Sequence, residues 1–344
     1  MIDILTHDRT IAPALADVPL PADDAAPVLA LLGRCPKAGQ TPLADATTLA
    51  AQASVGAVWV KDERGRMGLG SFKALGAAYV IAHLAQQGDA KGRVFVTASA
   101  GNHGLSVAVG AATFGARAVV YIAQTVPEGF AERLRGHGAT VVREGAVYED
   151  SMAAAAHAAE ANGWTLLSDS SWPGYLDLPH RLMEGYLAMA HEAAAQVPEP
   201  PSHVFLQAGV GGMAAAVAAH LRRVWGDGPT IVVVEPDRAA ALRDSVRAGQ
   251  AVVAPGPESS MGRLDCKEPS LIALAGLMRD ADAFLTITDD AVADALPRLA
   301  AAGLATSPSG GAGLAALLCL TDDHRATLAL TPKSRVLCIL SEGP

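Results

Sequence analysis

The chain lacks the marks of several common protein classes. Its four cysteines, Cys35, Cys266, Cys319 and Cys338, are scattered with no Cys-x-x-Cys pair. That spacing supports neither a disulfide framework nor a zinc site. Positive charge is in short supply: 26 Lys and Arg stand against 35 Asp and Glu, a formal charge of -9. No basic stripe appears, which argues against nucleic acid as a partner. No apolar run reaches membrane-spanning length without a glycine or a charge. The start, Met1-Ile2-Asp3-Ile4, lacks a basic region followed by an apolar core, so it does not read as a signal peptide. A reducing cytoplasm is the expected location. No fixed-period repeat is visible.

What remains is an apolar, modestly charged chain of 344 residues. It suits a soluble globular enzyme and exceeds a typical single core, so one large or two interleaved domains are expected. Short β-branched runs predict strands at 58–61, 94–97, 118–122, 140–143, 165–167, 203–207, 230–235, 283–287 and 336–340. Alanine-rich patterns between them predict helices at 72–87, 103–114, 127–137, 148–161, 180–195, 212–224, 239–248, 290–302 and 311–320. Continuous apolar strands spaced by helices predict mostly parallel sheets covered on both faces. The first 50 or so residues carry few strand signals and are expected to wrap the outside. In such sheets ligands bind beyond the carboxyl ends of the strands.

Lys73 is the most informative residue. It lies in Gly68-Leu69-Gly70-Ser71-Phe72-Lys73-Ala74-Leu75-Gly76, between a glycine-rich turn and small apolar residues. Partial burial and a nearby positive group would free its amine to attack a carbonyl. The bland alternative is a lysine at a helix start that snorkels to water.

Four further segments stand at strand-to-helix turns or strand ends. Ser99-Ala100-Gly101-Asn102-His103-Gly104 exposes backbone N–H groups at a helix start, which favours an anion, although Ser99 and Asn102 could merely cap the helix. Gln207-Ala208-Gly209-Val210-Gly211-Gly212-Met213 lets backbone approach a ligand and offers a phosphate nest. Thr306 to Gly313 is a small-residue turn that either borders the same cleft or permits close packing. The last strand delivers Ser341, whose hydroxyl could bond a neutral heteroaromatic nitrogen. A rival reading uses Gly209-x-Gly211-x-x-Ala214 with Glu235 as a dinucleotide fingerprint, making the chain an NAD-dependent dehydrogenase. It leaves Lys73, Asn102 and Ser341 unexplained.

Taken in order, these motifs resemble the fold type II pyridoxal-phosphate (PLP) enzymes, the family of the tryptophan synthase β-subunit and the serine/threonine dehydratases. Within that family the chain is similar to the diaminopropionate ammonia-lyases, through Lys61-Asp62-Glu63, Asp169-Ser170-Ser171-Trp172-Pro173-Gly174-Tyr175, Met183-Glu184-Gly185-Tyr186 and Val234-Glu235-Pro236-Asp237. The resemblance implies two three-layer α/β domains with mostly parallel sheets and the active site between them. Residues 1–74 and 180–344 would form the large PLP-binding domain, and 75–179 a smaller inserted domain with the asparagine loop. Lys73 would hold PLP as a Schiff base and move the Cα proton. Gly209, Val210, Gly211, Gly212 and Met213 would take the phosphate, Asn102 the ring hydroxyl oxygen, and Ser341 the ring nitrogen, with Phe72 beside Lys73. Ser99, Ala100, Gly101 and His103 would bind the substrate carboxylate, and Asp169 would meet a β-amino group or act as a second acid/base. Ala100 replaces an aspartate of that family associated with the D-isomer, which puts D-substrates in doubt. Glu235 aligns with a metal-binding residue of some relatives, but its later acidic partner is missing, so no metal is assigned.

The resemblance implies α,β-elimination from a small amino acid to a 2-keto acid and ammonia, in a homodimer without nucleic-acid or membrane partners. A β-hydroxy amino acid dehydratase acting on serine, threonine, phenylserine or hydroxyaspartate is the alternative. A non-catalytic PLP-binding module and a racemase on the same scaffold are further ones.

Overall fold

The computed structural model describes residues 2–344. Eleven strands form among them: β1 (Asp3–Thr6), β2 (Leu43–Asp45), β3 (Ala57–Asp62), β4 (Val94–Ala98), β5 (Arg117–Ile122), β6 (Thr140–Arg143), β7 (Thr165–Leu166), β8 (His203–Gln207), β9 (Thr230–Pro236), β10 (Ala283–Ile287) and β11 (Arg335–Leu340). Seven make one sheet in the order β1-β10-β9-β8-β11-β3-β2, and four make a second in the order β6-β5-β4-β7. The second sheet is wholly parallel. The first is parallel except at its edges, where β1 pairs antiparallel with β10 and β2 with β3.

Alternation along the central strands builds both faces of the large sheet. Val204, Leu206, Ile231, Val233, Leu337 and Ile339 pack into one buried cluster with the helix Gly212–Trp225. Phe205, Val232, Val234, Val336, Cys338 and Leu340 point the other way, against the helix Ala312–Leu318. The small sheet divides likewise: Phe95, Val120 and Ile122 join the main cluster, whereas Val96, Val119 and Tyr121 pack on Ala155, Ala158 and Ala159. Alanine faces let the helices lie close to the sheet.

The amino-terminal segment is more than an outer wrap. It supplies both edge strands of the large sheet and buries Leu15, Val28 and Leu32. The expected helix 180–195 is two, Asp177–Gly185 and Leu187–Gln196, meeting at Tyr186. Thr6 and Asp45 end β1 and β2 after four and three residues, too short for a strand signal.

Candidate functional site

Lys73 opens the helix Lys73–Gln86. The turn before it uses positive φ at Gly68 and Gly70, a conformation natural to glycine. Ser71 Oγ accepts from the Lys73 N–H at 3.1 Å and caps the start. The turn is pinned to the end of β11: Phe72 N–H donates to Ser341 O at 3.1 Å, and Gly343 N–H to Gly70 O at 3.1 Å. The last strand therefore fixes where the lysine begins.

Asp169 arrives from the opposite side, three residues beyond β7. Its loop is held by Tyr175, whose hydroxyl donates to Leu166 O at 2.8 Å and accepts from Ser168 N–H at 3.1 Å. Ser171 is bound to Ser270 Oγ, and Ser270 N–H donates to Val210 O at 3.0 Å. These bonds tie Asp169 to the glycine loop. The Asp169 carboxylate accepts directly from Lys73 Nζ. Burial opposes both charges. Each keeps its charge because the other is there: Lys73 is held above the ordinary lysine range and Asp169 below the ordinary carboxylate range. The expectation of a neutral Lys73 beside a positive group is corrected here. Its nearest charge is negative, and in this arrangement the amine is protonated.

The asparagine loop follows β4 and enters the helix Asn102–Thr113. A Cβ on Gly104 would fall 2.2 Å from Ser99 O, so only glycine lets the loop fold back. Ser99 Oγ accepts from Gly101 N–H at 3.3 Å. His103 lies buried under the loop, its Nε2 donating to Leu167 O at 2.8 Å, and burial keeps the ring neutral. Asn102 Nδ2 donates to Glu342 Oε2 at 2.6 Å. Ala100 and Gly101 line a small pocket with Phe130, Arg133 and Arg263.

The glycine loop follows β8. A Cβ on Gly209 would meet Cys266 Sγ at 2.9 Å and Arg263 O at 3.1 Å. Gly211 has φ +98°, and a Cβ there would meet Leu242 Cδ1 at 3.0 Å. The N–H groups of Gly211, Gly212 and Met213, at the start of a fourteen-residue helix, make no hydrogen bond within the described chain. They are free for an anion.

Motif reading missed several members of the site. Glu342 is buried; its carboxylate accepts from Asn102, from Arg263 Nη1 at 2.8 Å and from Ser307 Oγ. Burial pushes its acid strength down, raising the pKa. It follows Ser341 directly, so the motif already held the signal. Ser307 brings the small-residue turn to the cleft. Cys266 and Arg263 had no local signal, and Tyr186 entered only as part of the Met183–Tyr186 segment, without a role.

Glu235, the anchor of the dehydrogenase reading, is wholly buried. Its two oxygens accept from Leu242 N–H at 2.7 Å and Arg243 N–H at 2.8 Å, capping the helix Ala241–Ala248. It has no oxygen turned to a ribose.

A lysine at a helix start, a carboxylate against it, a free N–H nest and an asparagine loop define a class of cofactor enzyme. Residues 35–342 match the family model for pyridoxal-phosphate dependent enzymes, and the chain belongs to that family. It is 33% identical to the diaminopropionate ammonia-lyase of Salmonella typhimurium, over 92% of this chain and 88% of that one. It is 32% identical to that of Escherichia coli, over 74% and 69%. The fold matches the Escherichia coli diaminopropionate ammonia-lyase in complex with an aminoacrylate-PLP azomethine reaction intermediate, with TM-score 0.89, 28% identity and coverage of 100% and 94%. The threonine deaminase isoform 2 of Solanum lycopersicum shares the fold at TM-score 0.81 and 20% identity. The chain is thus a PLP-dependent lyase of the ammonia-lyase and dehydratase type, and the dehydrogenase reading falls.

The residues present fit the cofactor. The free N–H groups suit a phosphate, and the Cβ clashes at Gly209 and Gly211 explain the glycines that bare them. No helix among the described residues is long and apolar enough to cross a membrane.

Proposed function

We propose that the cleft removes a β-amino or β-hydroxyl group from a small L-amino acid, with 2,3-diaminopropionate the first candidate. Serine, threonine, phenylserine and hydroxyaspartate follow. The observation that carries the reading is the contact of Lys73 with Asp169 at the mouth of a glycine nest.

Lys73 is assigned the covalent hold on PLP and the transfer of the Cα proton, with Phe72 beside it. Gly209, Val210, Gly211, Gly212 and Met213 take the phosphate, Asn102 the ring hydroxyl oxygen and Ser341 the ring nitrogen. Ser99, Ala100, Gly101 and His103 form the carboxylate pocket. When bound, PLP supplies an electron sink for the Cα carbanion. A serine at the ring nitrogen does not force protonation there, which suits elimination over slower carbanion chemistry. Asp169 has two tasks. It keeps Lys73 charged when the amine is free, and it presents a carboxylate to a substrate β-ammonium group. A β-ammonium leaves as ammonia, and the enamine product hydrolyses in water to a 2-keto acid and a second ammonia.

The domain division follows the same reading: 75–179, which contains every strand of the four-stranded sheet, is the smaller unit inserted into 1–74 and 180–344. Four free cysteines suit a reducing cytoplasm. A homodimer is expected by resemblance, and light scattering on the purified chain checks it.

The test is release of ammonia and 2-keto acid from each candidate in both configurations. Turnover of diaminopropionate above the hydroxy amino acids supports the β-amino reading. Faster loss of hydroxide from serine or hydroxyaspartate moves the assignment to a dehydratase.

A further inference from the structure

Tyr186 stands at the joint between the helices Asp177–Gly185 and Leu187–Gln196. Its side chain is buried and packs edge-on to Phe72, with ring centroids 5.0 Å apart. The hydroxyl end of the ring is wedged between two glycines. A Cβ on Gly76 would meet Tyr186 Cε1 at 2.9 Å, and a Cβ on Gly212 would lie 3.8 Å from Cε2. Gly76 belongs to the helix that Lys73 opens, and Gly212 begins the helix behind the glycine nest. The hydroxyl therefore lies at the seam between the lysine and the nest.

That hydroxyl is buried beside the Lys73 amine, yet it makes no well-formed hydrogen bond and its own O–H has no acceptor. A phenol in this position normally has one, since leaving it unpaired forfeits a hydrogen bond and the water it gave up. Gly212 packs against the same ring, and the N–H groups of Gly211, Gly212 and Met213 are also unpaired. A side-chain donor and backbone donors that lack acceptors thus stand on either side of Gly212. What satisfies them together is a compact anion with several acceptor oxygens. Burial holds the phenol above its ordinary range, so it is neutral and able to donate.

The geometry points to Tyr186 as a side-chain donor to the phosphate of the cofactor, completing the backbone nest of 209–213. This rests on the phosphate assignment above. It adds a residue that no glycine motif contains.

The experiment titrates the full-length chain, stripped of cofactor, with PLP and with pyridoxal, which lacks the phosphate. Inorganic phosphate is included as a competitor. Tyr186→Phe removes the hydroxyl and keeps the ring. The expected result is a loss of roughly 10- to 100-fold in PLP affinity, the size of a hydrogen bond to a charged group. Pyridoxal affinity should stay within about twofold, and phosphate should compete less well against the variant. The phosphorus resonance of the bound cofactor should also shift. The cofactor-free variant should melt no lower than the parent, because the change deletes an unsatisfied buried group.

Unchanged PLP affinity would overturn the inference. So would equal losses for PLP and pyridoxal, which would place Tyr186 at the lysine instead. A lower melting point of the stripped variant would make the residue structural. Failure of the parent chain to bind either aldehyde is a different result: it would remove the cofactor reading itself, and this inference with it.

Discussion

Lys73 and Asp169 lie 96 positions apart and meet as an ion pair inside the cleft. Each comes from a different structural unit: the lysine from the turn that β11 pins, the aspartate from the loop beyond β7 that Tyr175 and Ser270 hold. The amine is consequently stored in its charged form.

Lys73→Ala should abolish turnover, and the cofactor should no longer be trapped on the chain by borohydride, as read by peptide mass. Asp169→Asn should retain covalent trapping while kcat/KM falls by roughly 10²- to 10⁴-fold, the range of a lost general acid or base. Trapped cofactor on another residue would remove Lys73 from the mechanism. Asp169→Asn with parental kinetics would reduce Asp169 to a structural partner.

Glu235 makes stability depend on pH. Burial pushes its carboxyl up from 4.5 to about 8, against the two amide N–H bonds that favour the charge. The folded state thus binds a proton that the unfolded state has lost between these values. This contribution to stability is present below about 4.5 and disappears as pH rises through about 8. Melting temperature should fall over that window, and Glu235→Gln should flatten the fall. A variant with the parental slope would assign the dependence to another group.

The parts of this architecture visible in sequence are the locally encoded ones. Strands 140–143, 203–207 and 283–287 have the expected limits because β-branched runs end there at turns. The helix Leu271–Asp280 was not anticipated: it is apolar on nearly every side, so it carries no amphipathic period. The break at Tyr186 directly follows Gly185, a single glycine within an otherwise continuous helical pattern. Lys73, Asn102 and the glycine loop were legible as motifs, since backbone-exposing turns demand small residues. Their charges were not. That Lys73 faces Asp169 and that Glu342 joins Asn102 to Arg263 are long-range facts, set only when distant segments assemble.

Ala100 bears on configuration. It lines the small pocket shared by Arg133 and Arg263 and brings no carboxylate to it. The structure of the Escherichia coli diaminopropionate ammonia-lyase in complex with D-serine makes D-substrates a fair comparison. Ala100→Asp is expected to add measurable elimination from D-diaminopropionate or D-serine while the L-activity changes less. Coupled keto-acid assays on each enantiomer read this directly. No D-activity would mean that configuration is decided elsewhere in the cleft.

A last prediction concerns the ion network beneath the lysine turn. Lys61, Glu63, Arg66 and Glu192 are almost wholly buried. Lys61 Nζ donates to Glu192 Oε2 at 2.7 Å and to Thr41 O at 2.6 Å. Arg66 holds Glu63 through two bonds of 2.7 Å and Glu192 through bonds of 2.9 and 2.7 Å. Two positive and two negative groups balance, and the network clamps the start of the 63–68 turn to the helix Leu187–Gln196. Removing one member leaves a buried charge without compensation, at a cost of about 3–5 kcal/mol. Glu192→Leu and Lys61→Met should each cost this much in chemical denaturation. The double variant should cost clearly less than their sum, because Arg66 still has Glu63 and neutrality returns. Since the clamp sets where the turn to Lys73 begins, the single variants should also lose kcat. Additive destabilisation would show that Lys61 and Glu192 act independently, and the network would then be a packing arrangement without coupled charge.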